Sequence, residues 1–244
     1  MENKPALDVS RILYEDENCL VVNKRPGETA EGSTGNVTDL SPLLAAAYPG
    51  PFVPAAVHRL DVPVSGCLLF ARTPQALSFL SGAFSGAGGR RVEKRYWAIT
   101  EPPPPVPALR ESGELIHWIK HDPRTNKTTA FEKSAPGLKQ AVLRYRLVGR
   151  GQRYLFFEIE LVTGRHHQIR AQLARLGLHI KGDLKYGARR SEKEGGIRLH
   201  ARSLCFPNPA RQDDTIRVTA PPPVRDNLWD AFNESAEIES KAAP

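Results

Sequence analysis

Strand-length segments separated by turn residues are the feature that most limits how this chain can fold. Residues 153–162 alternate between two faces, one of which is formed by Leu155, Phe157, Ile159 and Leu161. Residues 66–71, G-C-L-L-F-A, form a short apolar run typical of a buried strand. Further strands are predicted at residues 11–14, 19–23, 95–100, 115–120, 127–133, 140–148, 197–206 and 215–219.

Three helices are predicted between these strands. Thr73 followed by Pro74 is a favourable helix start, with the helix running to about Phe84. Residues 165–176 place apolar side chains at helical spacing and are followed by a glycine, and residues 39–48 form a shorter helix. Many antiparallel-looking strands with a few inserted helices indicate the α+β class.

Charge is concentrated in one part of the chain. The 244 residues contain 34 basic and 27 acidic side chains, and residues 139–211 alone carry 16 basic and 5 acidic groups. A focused basic region favours a polyanionic partner, although solvated faces of ordinary helices and strands are the alternative.

The sequence also bears on the cellular location of the protein. No apolar run approaches the roughly 18 residues of a membrane span, and the start M-E-N-K-P has no signal-peptide core. Cys19, Cys67 and Cys205 are far apart and odd in number, which argues against a disulfide framework. We therefore expect a reducing, cytoplasmic location and no membrane partner.

Two motifs crowd polar groups next to predicted elements. Residues 58–66, H-R-L-D-V-P-V-S-G, precede a buried strand and can project a carboxylate into a cleft, unless Arg59 and Asp61 form a purely structural pair. Residues 163–170, T-G-R-H-H-Q-I-R, open the predicted helix, where His166 and Arg170 would share one face and bind phosphate. Adjacent histidines point to different sides, so a metal site is not expected here.

Three further segments are individually weak. Residues 94–98, K-R-Y-W-A, contain Tyr96, for which core packing is the default role. Residues 180–187, I-K-G-D-L-K-Y-G, form a basic turn, and residues 198–206 form a strand with basic residues on one face.

Taken in order, these motifs resemble those of the RluA/RsuA-like RNA pseudouridine synthases. The residues 58–61 H-R-L-D, the K-x-Y-x-A strand, the G-R-x-H-Q-I-R motif, the I-x-G-D-x-x-Y-G turn and the L-H-A strand at 199–201 all match. The resemblance spans about residues 11–220. It implies a large mixed, mostly antiparallel sheet with flanking helices and a central RNA-binding cleft.

The resemblance also implies roles for individual residues. Asp61 is then the essential carboxylate, Arg165 pairs with it and keeps it ionised, and Tyr96 stacks on the uracil and assists removal of the C5 proton. The residues expected to bind the RNA are His58, Arg59, His166, Gln168, Arg170, Lys181, Lys185, Arg198 and Arg202. The reaction needs neither cofactor nor metal, and none is expected.

The chain departs from the family pattern in several places. Val64 stands where Thr is usual, and Lys181 adds a cation after His179 and Ile180. The Pro-rich loop at 101–113 has no family role that we can assign. We expect residues 1–10 to be an N-terminal extension too short for an S4-type RNA-binding domain, residues 11–232 to be the catalytic domain and residues 233–244 to be a flexible tail.

We expect the partner to be a stem-loop of ribosomal or transfer RNA, rather than DNA, bound by a monomer. Two other functions stay open at this point. The first is a catalytically inactive RNA-binding protein on the same fold. The second is a glycosidase or nucleoside enzyme with two carboxylates, in which Asp183 would be the second acid.

Overall fold

The computed structural model describes residues 7–32, 37–102, 109–211 and 213–242, with side chains as far as 236. The chain divides into two compact units. The first unit comprises Met1–Lys94 and Ala201–Pro223, and the second comprises Arg95–His200 and Val224–Pro244. The predicted domain over residues 11–232 is thus divided between two units.

The described residues form strands and helices in an irregular succession, which confirms the α+β class. In chain order the elements are β1 (Ile12–Glu15), β2 (Cys19–Lys24), β3 (Glu28–Thr29), β4 (Thr38–Asp39), α1 (Leu40–Ala47), β5 (Ala55–Ala56), β6 (Ser65–Ala71), α2 (Pro74–Ser85), β7 (Glu93–Glu101), β8 (Ser112–Asp122), β9 (Lys127–Phe131), β10 (Lys139–Arg150), β11 (Leu155–Leu161), α3 (Gln168–Arg175), β12 (His179–Ile180), β13 (Leu199–Pro207), β14 (Thr215–Thr219) and α4 (Asn227–Ala242). Within the described ranges, every helix is too short or too polar to cross a lipid bilayer.

The first unit is built on the strand order β1-β2-β6-β13, with β14 paired to β13 and β5 paired to β6. The seven residues of β6 are all buried, as the apolar run predicts, because α2 covers one face of this sheet through Ala76 and Leu80. Helix α2 begins where expected: the side chain of Thr73 accepts a hydrogen bond from the Ala76 amide.

Gly66 lets two strands of the first unit approach closely. Its φ is +112°, and a Cβ atom at this position would lie 2.3 Å from the carbonyl oxygen of Ala201. Only glycine fits both the conformation and the space. Because Gly66 is the second residue of β6, this contact fixes the strand immediately after the H-R-L-D segment.

The second unit has the strand order β7-β11-β10-β8-β9, with β12 paired to β7. Leu155, Phe157 and Ile159 are buried on the face predicted for them. Phe156, on the opposite face, is buried as well, because α4 packs there: its ring centroid lies 5.5 Å from that of Phe232. Alternation predicted the two faces of β11 but not the helix that covers one of them.

One helix differs from its predicted bounds, and one was not predicted. Helix α3 begins at Gln168 instead of Arg165, because His167 has a left-handed backbone with φ of +52° and therefore lies outside the helix. Helix α4 continues through the start of the predicted tail at 233, where Ala236 packs against the cluster around Trp229 and Phe232. Residues 103–108 of the Pro-rich loop lie outside the described residues.

The contribution of α4 can be measured by unfolding. Phe232 is completely buried and stacks on Trp97 with ring centroids 4.4 Å apart. We expect Phe232→Ala to lower the free energy of unfolding by about 3–5 kcal/mol, since it leaves a cavity in this cluster. The control Glu234→Ala, at an exposed position of the same helix, should stay within about 0.5 kcal/mol of wild type in urea. Equal stabilities of the two variants would contradict this role for α4.

Candidate active site

Asp61 lies on a short turn between β5 and β6 of the first unit. The Val64 amide donates a hydrogen bond of 2.9 Å to the Asp61 carbonyl, which closes the turn. Leu60 is buried before it and Val64 after it, whereas Arg59 is exposed and Asp61 is partly exposed. The turn therefore presents a carboxylate at the surface of the unit while apolar side chains on both sides anchor its backbone.

Lys24 supports this turn from inside the unit. Its side chain is completely buried, and Nζ donates to the carbonyl oxygens of Arg25 at 3.0 Å, Val62 at 3.1 Å and Val64 at 2.5 Å. Burial lowers the pKa of Lys24 to about 7, and the negative charges of Glu28 and Asp61 oppose that shift. Lys24 is not among the residues predicted from the sequence, although a lysine at the end of the apolar run 19–22 is a signal that could have identified it.

A buried ion pair holds the loop that follows Lys24. The Arg11 guanidinium donates to both carboxylate oxygens of Glu28, one of them at 2.9 Å. The same carboxylate accepts the Arg25 amide at 2.7 Å. The 25–28 loop in turn donates its Gly27 amide to the carbonyl of Val62 at 2.9 Å, so that loop and turn are fixed together.

His58 has a structural position in the first unit. Its Nε2 accepts the Leu69 amide at 3.2 Å, and its ring stacks on Phe84 with centroids 4.7 Å apart. Burial, with a smaller contribution from Lys94, lowers the pKa of His58 to about 3. The structure thus shows a supporting contact of His58 with strand β6, and its contact with RNA stays a prediction. Arg202, also in this unit, donates from Nη1 to the Ala220 carbonyl at 2.7 Å.

Arg165 lies on a turn of the second unit that Gln168 holds in place. Oε1 of Gln168 accepts the Arg165 amide at 3.0 Å and the Thr163 hydroxyl at 2.8 Å, while Nε2 donates to the Val142 carbonyl at 3.0 Å. Gln168 is buried and Arg165 is exposed, with its Nε donating to the Gln140 carbonyl at 3.3 Å. The structure thus makes Gln168 a support of the arginine turn, which corrects its prediction as an RNA contact.

The two histidines of the motif are tied to strand β9. His167 is buried, its Nδ1 lies 2.9 Å from the Tyr186 hydroxyl, and burial lowers its pKa to about 2. Thr128 donates its amide to the same hydroxyl at 2.8 Å and its own hydroxyl to the His166 carbonyl at 3.0 Å. His166 precedes α3, so the prediction that it shares a helical face with Arg170 is wrong.

Arg170 and Asp183 form a buried bidentate pair. Nε and Nη2 of Arg170 donate to the two carboxylate oxygens at 2.7 and 2.8 Å, and both side chains are less than 5% exposed. The guanidinium also lies over the Tyr186 ring, 4.8 Å from its centroid. Arg170 is therefore committed to this pair rather than to phosphate, and Asp183 is not available as the second acid of a glycosidase.

Arg198 and Lys181 are likewise held by acidic side chains. Glu192 pairs with both cations, and Arg198 also pairs with Asp226, which accepts the Leu228 and Trp229 amides at the start of α4. Arg198 is only 9% exposed. This network fixes the start of β13 to α4 and corrects the prediction of Arg198 as a phosphate ligand.

The remaining predicted residues include a buried tyrosine and three exposed cations. Tyr96 is 8% exposed in β7, opposite Ile159 of β11. Of the predicted cations, Arg59, Arg165 and Lys185 are exposed. The two units therefore present a carboxylate on a fixed turn in the first, and a tyrosine and a fixed arginine turn in the second.

Comparison with known proteins gives these parts a common interpretation. Residues 18–175 match a family model described as RNA pseudouridylate synthase. The chain is 35% identical over 235 residues to the ribosomal large subunit pseudouridine synthase D of Xylella fastidiosa, covering 87% of this chain and 66% of that protein. It is 32% identical over 203 residues to an uncharacterised RNA pseudouridine synthase of Zymomonas mobilis, covering 80% of this chain and 86% of that protein.

Solved structures agree with the fold that the motifs predicted. The chain is similar to human RNA pseudouridylate synthase domain containing 4, with a TM-score of 0.68, 21% identity and coverage of 94% of each chain. A second human structure, RNA pseudouridylate synthase domain containing 1, gives a TM-score of 0.66 at 22% identity.

The neutral His58 makes the stability of the protein depend on pH. Between its lowered pKa of about 3 and the ordinary value of 6.5, the unfolded chain binds a proton at this ring that the folded chain does not. The free energy of unfolding therefore falls as the pH drops through this window, by at most about 1.4 kcal/mol per pH unit from this group. His58→Gln, which keeps an acceptor for the Leu69 amide, should show a shallower decrease in urea unfolding between pH 6.5 and 4.

Measurements at higher pH provide the control. Above pH 7.5 the His58 ring is neutral in the folded and the unfolded chain, so the difference in unfolding free energy between wild type and His58→Gln should be constant there. If the plots of unfolding free energy against pH stay parallel for the two proteins down to pH 4, the neutral imidazole of the folded chain is contradicted.

Proposed function

Because the chain belongs to the RNA pseudouridylate synthase family, whose members are isomerases that modify RNA, we propose that it converts uridine to pseudouridine in a stem-loop of ribosomal or transfer RNA. Asp61 is the essential carboxylate in this proposal. The observation that carries it is the partly exposed Asp61 on a turn fixed by the buried Lys24. A rigid support of this kind suits a group that must meet a reacting atom at one position.

The proposed reaction detaches uracil from C1′, rotates it and rejoins it through C5. Asp61 either attacks C1′ or takes the 2′ proton, and both routes need the carboxylate in its ionised form. Arg165, in the role that the resemblance implies, supplies the positive charge that pairs with this carboxylate. Tyr96 stacks on the uracil and assists removal of the C5 proton.

A stem-loop is the favoured substrate because the target nucleotide must leave its stack to reach the catalytic groups. Unstacking costs less in a loop than in a regular duplex. The relative named as a ribosomal large subunit enzyme supports ribosomal RNA as one candidate. Three exposed cations can contact the RNA backbone: Arg59, Arg165 and Lys185. The central RNA-binding cleft that the family resemblance implies stays a prediction for this chain.

We also propose that the enzyme works as a monomer in the cytoplasm. Its three cysteines are free, buried thiols, which fits a reducing compartment.

The role of Asp61 is tested by tritium release. Wild-type protein incubated with total cellular RNA labelled at uracil C5 should release tritium, since the C5 proton is lost when the new bond forms. Asp61→Asn should abolish release but keep RNA binding, because the amide has a similar shape and cannot serve as nucleophile or base. Turnover by Asp61→Asn would refute the assignment. RNA binding by wild type without any release would favour the inactive RNA-binding alternative.

The support that Gln168 gives Arg165 predicts a defect in turnover. Gln168→Met preserves side-chain length but removes the contacts to Arg165, Thr163 and Val142, so we expect kcat to fall about 10–100-fold with a smaller change in KM.

Gln172 provides the matched control. It is buried on the same helix, and its Nε2 donates to the Leu115 and Ala141 carbonyls of strands β8 and β10. Gln172→Met should lower the melting temperature with little change in kcat. If both variants lose kcat equally, Gln168 has only a structural role.

A further inference from the structure

The β8–β9 hairpin of the second unit ends in a tight, internally braced turn. One Asp122 carboxylate oxygen accepts the Arg124 amide at 3.0 Å, and the other accepts the Thr125 hydroxyl at 2.9 Å. Asn126 adopts a left-handed conformation with φ of +49°, which lets the chain return into β9. The turn thus has a defined shape that does not depend on a partner.

Three exposed cations meet at this turn, and we call Arg124, Lys127 and Lys185 the basic tip. Arg124 and Lys127 belong to the hairpin itself. Lys185 comes from the short helical turn Leu184–Tyr186 and donates to the Asn126 carbonyl at 3.2 Å. Lys127 lies over the Tyr186 ring, 5.4 Å from its centroid. Lys185 therefore joins the two hairpin cations although it is distant from them in sequence.

The cations of the basic tip form no ion pairs with the described residues, unlike four arginines of the same unit. Arg144, Arg170, Arg175 and Arg198 each form an ion pair with a carboxylate of the same unit. Within the described ranges of the chain, no carboxylate forms an ion pair with a cation of the basic tip. Asp122, the acid of the turn, braces it with both carboxylate oxygens, and its one negative charge leaves the three cations of the basic tip in excess. Such unpaired charges attract an anionic partner.

The tip is linked directly to the arginine turn. Thr128 follows Lys127 and is 1% exposed. Its amide donates to the Tyr186 hydroxyl, and its own hydroxyl donates to the carbonyl of His166, the residue after Arg165. One residue thus joins the strand that carries the basic tip to the segment that carries Arg165.

We propose that the basic tip is a docking surface for the phosphate backbone of the RNA substrate, next to the arginine turn of the same unit. The inference rests on the proposed function, because it takes RNA as the substrate. Phosphate is the group recognised, since the tip offers three cations on a rigid turn. Contacts of this kind position the RNA and carry no sequence preference of their own.

The test is the salt dependence of RNA binding. The dissociation constant of a labelled ribosomal RNA stem-loop that wild type modifies is measured between 50 and 300 mM KCl. The logarithm of the association constant is plotted against the logarithm of the KCl concentration. For the double variant Arg124→Gln/Lys127→Gln, the slope of this plot should fall in magnitude by about 1.4–1.8, the value for two lost phosphate contacts. Lys185→Gln should lower it by roughly half of that amount.

Arg150→Gln/Arg153→Gln is the matched control. It removes two exposed cations near the β10–β11 connection of the same unit, so net charge changes equally. This control should keep the wild-type slope, and all variants should keep the wild-type melting temperature.

Two results would overturn the inference. One is a wild-type slope for the tip variant, and the other is an equal decrease in the control, which would mean a diffuse charge effect. Wild-type protein that releases no tritium from any RNA would instead overturn the proposed function, so the two failures are distinguishable.

Discussion

The burial of Lys24 is the constraint on which the Asp61 turn of the first unit depends. Removing an ammonium group from water costs several kcal/mol unless each of its donors finds an acceptor. Three main-chain carbonyls supply those acceptors, and two of them belong to the turn that carries Asp61. The turn must take the shape that satisfies Lys24, and the backbone position of Asp61 is fixed as a result.

The second unit uses a neutral group for the same purpose. The Gln168 amide has both donors and acceptors, so a single side chain joins Thr163, Arg165 and Val142. Around it, Arg170 pairs with Asp183, and His167 lies within hydrogen-bond distance of Tyr186. Buried polar networks of this type rigidify a site when every member has a partner. The exposed Arg165 is therefore held by neighbours that are not exposed.

These networks engage several of the cations that the motifs predicted as RNA contacts. A sequence motif does not show whether a basic side chain is exposed to solvent or paired with a buried carboxylate. Arg170 and Arg198 were expected to bind phosphate, yet the acids that pair with them lie elsewhere in sequence, at Asp183 for one and at Glu192 and Asp226 for the other. His58 and Gln168 also contact main-chain groups that no pattern of side chains reveals.

The sequence by itself determined the α+β class, most strands and the start of α2, because these follow from short-range periodicity and capping. It also determined the family, since five motifs in order are specific. Only the tertiary structure decided that α3 begins after His167, that α4 covers Phe156, and which cations stay exposed. Those outcomes depend on which distant groups meet in space, and the free energy of burying a charge or an aromatic ring is set by these neighbours.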